Sequence, residues 1–87
     1  MPRVFIPPEL RSLTDGVEMI DVSAATVRDA VAAVDQQFPG LQMRLCDGVR
    51  LRPGLMVSVD GVFSTLRLRE RVRPDSEIHF LPAIGGG

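Results

Sequence analysis

Few residues in this sequence have the type and spacing to do chemistry: one histidine, one cysteine, a run of arginines and the glycines at its end. His79 is the only base a Ser-His-Asp triad could use, and no G-x-S-x-G elbow accompanies it. It falls inside an alternating segment and reads as an exposed strand residue. Cys46 has no second cysteine to bridge and no ligand set for zinc; after Met43 and Leu45 it reads as a core or surface thiol. All ten basic residues are arginine. Without lysine there is no P-loop of the G-x-x-x-x-G-K-[ST] kind and no Schiff-base amine. No glycines form a dinucleotide fingerprint. Any ATP chemistry must therefore be supplied by a partner.

Arg67, Arg69, Arg71 and Arg73 occupy every second position and would share one face of an extended chain. Such a stripe reads as a solvated edge, or as a positive surface that docks an acidic partner. It contains no aromatic residue on which bases would stack.

The sequence reads as stopping at Gly85-Gly86-Gly87, directly after the apolar run Leu81-Pro82-Ala83-Ile84. Glycines in this position do not stabilise a fold, because glycine loses the most entropy on ordering. They do allow passage through a narrow opening, since no Cβ blocks it. Extended, residues 83–87 would reach about 17 Å, enough to carry the Gly87 carboxylate from a domain surface into a partner's tunnel.

The scaffold behind this tail can be read from the patterning. At 87 residues and 45% hydrophobic content, the chain reads as one globular domain, 1–82, followed by a flexible tail, 83–87. A formal net charge of −1 gives no global attraction to nucleic acid or to a membrane surface. No apolar run approaches the ~20 residues of a membrane helix, and nothing resembles a secretory signal, so the expected location is cytoplasmic.

Arg3 to Ile6 is expected to be a strand closed by Pro7-Pro8, and Val17 to Val22, after the turn Thr14-Asp15-Gly16, its hairpin partner. Thr26 is a helix N-cap with Asp29 three residues on. Val27, Ala30, Val31, Val34 and Phe38 form one apolar stripe, with Arg28, Asp35 and Gln36 on the other face. Pro39-Gly40 stops the helix, and Leu41 to Leu45 has room for one more turn. Val49 to Arg52 reads as a loop. Leu55 to Val59 and Val62-Phe63 form a hairpin about Asp60-Gly61. Glu77 to Leu81 is the last strand, with Ile78 and Phe80 inward and Pro82 ending it. Hairpins plus one amphipathic helix make an α+β fold, a mixed sheet with the helix on one face. The first and last strands lie parallel in it, as in a β-grasp.

Leu81-Pro82-Ala83-Ile84-Gly85-Gly86-Gly87 resembles the F-P-A-V-A-G-G ending of the MoaD/ThiS-type ubiquitin-like sulfur carriers. Val59-Asp60-Gly61 resembles their V-N-G hairpin, and Pro74-Asp75-Ser76-Glu77 lies where they carry D-G-D-E. Ile6-Pro7, Leu10-Arg11, Thr14 and Gly16 are similar to the I-P-x-x-L-R-x-x-T-x-G pattern of the branch that serves thiocarboxylate-dependent cysteine synthesis. Gly85 departs from the alanine or serine common in the family.

The resemblance implies a non-catalytic carrier. A ubiquitin-activating-type adenylyltransferase, using ATP, would join AMP to the Gly87 carboxylate. A sulfur nucleophile would then leave a terminal thiocarboxylate. Gly85 and Gly86 would thread the tail, and Leu81, Pro82, Ala83 and Ile84 would dock the partner. The receiving enzyme would be cysteine-synthase-like, or the large subunit of molybdopterin synthase, with thiamine synthesis a further pathway. Two alternatives use the same residues differently: a protein modifier conjugated through Gly87, and a β-grasp binding module with an incidental tail.

Overall fold

The computed structural model describes residues 1–82. Strand β1 (Arg3–Phe5) is followed by a 3-10 helix (Pro8–Thr14), strand β2 (Met19–Asp21), helix α1 (Val27–Gln37) and helix α2 (Leu41–Leu45). Then come the small strands β3 (Cys46–Asp47) and β4 (Arg50–Leu51), strands β5 (Leu55–Val59) and β6 (Val62–Phe63), a second 3-10 turn (Arg67–Arg69) and strand β7 (Glu77–Pro82).

The main sheet has the order β2-β1-β7-β5-β6. β1 and β7 run parallel, and the other pairs are antiparallel. The last strand is therefore central. The long connection between β1 and β7 carries α1, as a parallel crossover requires. This is the mixed α+β arrangement anticipated from the patterning.

The helix forms where its capping signal stands. The Thr26 side chain accepts from the Asp29 amide at 3.2 Å. Val27, Ala30, Val31 and Val34 are buried against Val4, Val57, Ile78 and Phe80 from the sheet. Phe38 sits at the C-cap and only partly joins the core. α2 adds Leu41 and Leu45, both buried.

Several expectations are corrected. Val17 and Glu18 lie outside β2, and residues 8–14 form a 3-10 helix begun by Pro8, whose missing N–H costs nothing at a helix start. Val49 to Arg52 is no simple loop, because Cys46 pairs with Leu51 and Asp47 with Arg50 in a separate two-stranded ribbon. Asp35 does not simply face solvent. Its Oδ1 accepts from the amides of Gly40 and Gln42, both at 3.0 Å, and so caps α2 from the side of α1. Pro82 is the last residue of β7, paired with Leu55, rather than the residue that follows it.

Candidate functional site

The strand that leads to the glycines is held at both ends. At its start, Asp60 and Gly61 form the tight turn between β5 and β6, both at positive φ (54° and 83°), as a type I′ hairpin demands. Asp60 Oδ1 accepts from the Glu77 amide at 2.9 Å, and Oδ2 accepts from the Ser76 hydroxyl at 3.0 Å. Ser76 is buried, and its Oγ accepts from the Arg73 amide at 2.8 Å. The turn is thereby fastened to the residues that open β7. At the other end, β7 stays paired with β5 up to Leu81 opposite Met56 and Pro82 opposite Leu55.

Alternation along β7 sends Ile78 and Phe80 into the core and Glu77, His79 and Leu81 to the opposite face of the sheet. That face is not covered by either helix. The register places Met19, Phe5, His79, Ser58 and Phe63 side by side across all five strands. Phe5 and His79 stack with ring centroids 4.1 Å apart and planes 11° from parallel. His79 is half-buried by this stack, which corrects the exposed residue expected from the sequence. Met56 and Leu81 form a second row beside the first, next to the end of β7. Met19 (46%), Phe63 (54%) and Leu81 (39%) keep much of their surface open. The result is an apolar surface that runs to the point where the chain leaves the sheet. Of the partner-docking residues anticipated, Leu81 and Pro82 belong to this end of β7. Ala83, Ile84, Gly85, Gly86 and Gly87 lie outside the described residues.

The sequence did not single out Phe5, Met19, Met56 or Phe63. Their signal was the strand alternation itself, because each is a large apolar residue on the side opposite the buried positions.

The arginine stripe is not extended. Residues 67–69 turn in a 3-10 helix that buries Leu68. Ser64 Oγ accepts from the amides of Leu66 (3.1 Å) and Arg67 (3.0 Å) and donates to Glu70 Oε1 at 2.6 Å. Burying Leu68 and anchoring Ser64 break the period of two. Arg67 and Arg69 line a groove with Arg28, Arg50 and Arg52. Arg71 bridges to Thr26 in the backbone at the entrance of α1, and Arg73 lies in the turn before β7.

Cys46 is buried at the end of α2. Burial pushes its thiol above the usual range, against the smaller lowering influence of Arg28 and Arg52. A thiol held protonated is a poor nucleophile. Among the described residues no group of histidine, cysteine and carboxylate side chains could hold a metal ion, and no helix is long and apolar enough to cross a membrane.

Solved structures share this whole architecture. CysO of Amycolatopsis orientalis, determined in a BexX/CysO complex, matches with a TM-score of 0.90 and 27% identity over 100% of both chains. CysO of Mycobacterium tuberculosis matches at 0.87 and 21%, covering 97% of this chain and 100% of that one. SAMP1 of Haloferax volcanii matches at 0.77 and 24%, covering 99% and 98%. No curated protein sequence matches. The model of the ThiS family matches residues 4–87, a span that takes in the sheet, the helix and the terminal glycines. The chain belongs to the ThiS family of small ubiquitin-like sulfur carriers.

Proposed function

We propose that this chain carries sulfur on the carboxylate of Gly87. A partner adenylyltransferase transfers AMP from ATP to that carboxylate and releases pyrophosphate. A carboxylate oxygen is a poor leaving group, whereas AMP is a good one. A persulfide sulfur then attacks the carbonyl carbon and AMP departs, which gives an acyl disulfide. A second thiol attacks the donor's sulfur, forms a disulfide with it and releases the C-terminal thiocarboxylate. A second partner receives the tail, and the terminal sulfur attacks its substrate.

One observation carries this reading: the family match runs through Gly87, continuous with a central strand whose last residues border the apolar sheet face. The fold anchors the strand that leads to the tail: β7 is paired with β1 over Glu77–His79 and with β5 over Ile78–Pro82, so that β5 alone holds Phe80 to Pro82. The open face with Met56, Phe63 and Leu81 is the docking surface in this reading, in which the partners supply the acid, the base and the nucleotide site.

For the receiving partner we favour a cysteine-synthase-like enzyme over the large subunit of molybdopterin synthase. The Ile6-Pro7, Leu10-Arg11, Thr14, Gly16 pattern, similar to that of the cysteine-synthesis branch, supports this choice.

Pyrophosphate exchange tests the first step. With a ubiquitin-activating-type enzyme and ATP, the full chain is expected to stimulate exchange of labelled pyrophosphate into ATP, and a chain lacking Gly86-Gly87 is not. Equal exchange by both forms removes Gly87 from the mechanism. Reduction-resistant conjugates to other proteins would point instead to a modifier.

A further inference from the structure

Half of the ten arginines gather on one surface. Arg28 from α1, Arg50 from β4, Arg52 directly after that strand, and Arg67 and Arg69 from the second 3-10 turn line an open groove of about 890 Å³. No acidic side chain lines it. The only salt bridge among the described residues, Arg3 with Asp21, lies elsewhere. In a chain of formal net charge −1, this is a local positive region on a surface that is otherwise on balance negative.

The groove is built rather than left over. Arg52 Nε donates to the Met43 carbonyl at 2.8 Å, and Arg28 Nη2 donates to the Val49 carbonyl at 3.5 Å. The Arg52 bond orients its guanidinium, and the longer Arg28 contact holds its own more loosely. Each uses one N–H of the five a guanidinium has, which leaves the others for a ligand. Arg67 holds a left-handed backbone, φ 52°, which glycine would adopt without cost. Ser64 and Glu70 fasten the turn that keeps it there. Strain retained at a charged residue is a pointer from structure to function. Met56, Phe63 and Leu66 give the groove an apolar wall.

We propose that this groove binds an acidic segment, carrying an apolar anchor, of a protein that acts on the C-terminus. The size and the spread of charge fit an extended peptide rather than a single anion. The position assigns its role, because the groove includes Leu55 and Met56, which pair with Pro82 and Leu81 at the end of β7. A segment seated there lies beside the chain's departure toward Gly87. Complementary charge would raise the encounter rate and fix the orientation of docking. The identity of the partner rests on the carrier reading; the binding of an acidic segment does not. Arg71 and Arg73 are outside the groove.

The test is a titration of the full, isotope-labelled chain with an end-blocked peptide of four glutamates flanking one phenylalanine, monitored by amide chemical shifts. Shifts are expected at residues 49–56 and 63–69. They should weaken as salt shortens the Debye length from about 10 Å to about 3 Å, and be absent with glutamine in place of glutamate. Arg50→Glu combined with Arg67→Glu should weaken binding about tenfold or more, whereas Arg44→Glu on α2 should leave it unchanged. Arg67→Gly, which relieves the backbone and keeps the fold, should weaken it about 2- to 5-fold. A chain lacking Gly86-Gly87 should bind the peptide as the full chain does, even if the carrier reading fails. Equal binding of the glutamine peptide, shifts spread over all exposed arginines, or indifference to the groove variants would overturn the proposal. Tighter binding of a single-stranded DNA of matched charge would overturn it too.

Discussion

Leu81 and Met56 face each other across the β5–β7 ladder, on the side of the sheet away from α1 and next to the last residue of β7. This pair joins the apolar surface to the outgoing chain, so that any protein gripping Met56 and Leu81 is positioned to receive the residues beyond Pro82.

Replacing either residue by glutamate should therefore separate folding from loading. Both side chains lie outside the main core, and surface changes of this kind alter stability by about 0.5 kcal/mol or less. A buried charge at the centre of an interface costs about 2 kcal/mol or more, which corresponds to roughly 30-fold in affinity. Met56→Glu and Leu81→Glu should keep the native thermal transition and lose adenylation at limiting enzyme. Unimpaired adenylation by both variants would place docking elsewhere.

Asp60 should matter for stability out of proportion to its place in a turn. Its carboxylate satisfies the Ser76 hydroxyl and the Glu77 amide together. Asp60→Ala strands the buried Ser76 hydroxyl and should cost about 1–3 kcal/mol in urea unfolding. Asp60→Asn retains one carbonyl acceptor and should cost less. Equal losses for the two variants would show that the contacts with Ser76 and Glu77 contribute little.

Arg67→Gly should stabilise the chain. A side chain at φ 52° carries about 1 kcal/mol of strain, part of which is returned because glycine frees the unfolded state. The net gain should raise the melting temperature by up to about 4–8 °C. A lowered melting temperature would mean that the Arg67 side chain makes stabilising contacts in the fold.

Cys46 gives a pH dependence with a definite sign. Its thiol is held above its unfolded value by burial, so at alkaline pH the unfolded chain loses its proton first. Stability from this source is complete below the ordinary thiol range and falls as pH rises from the unfolded to the folded value. Cys46→Ala should remove that alkaline loss, and thiol reagents should modify the native chain far more slowly than the chain in urea. Rapid modification of native protein would contradict the buried placement.

Much of the fold was legible because its main signals are local. Thr26 caps, the valine stripe repeats with the helix period, and Asp60-Gly61 turns a hairpin. The parallel pairing of β1 with β7 follows from these once one helix must cross one sheet. Other features depend on groups distant in sequence. Asp35 looked like an exposed helix residue, yet it caps the next helix, which no periodicity reveals. The arginines looked like one stripe, but burial of Leu68 and the Ser64–Glu70 bond divide them, and three unsuspected arginines complete the groove. The motif residues of the N-terminal segment turn out to build its turn. Arg11 Nε donates to the Ile6 carbonyl at 3.1 Å, Thr14 Oγ1 donates to the Val17 carbonyl at 2.8 Å, Leu10 is buried and Gly16 sits at φ 85°. That pattern is explained by local structure without a catalytic role.

The most direct test of the carrier role is the intact mass of the full chain after incubation with ATP, a sulfur donor and an adenylyltransferase already shown to act on its own carrier. We predict that one terminal oxygen is replaced by sulfur, and that fragmentation places the sulfur on Gly87. An unchanged mass under those conditions, or sulfur located on Cys46, would contradict the account.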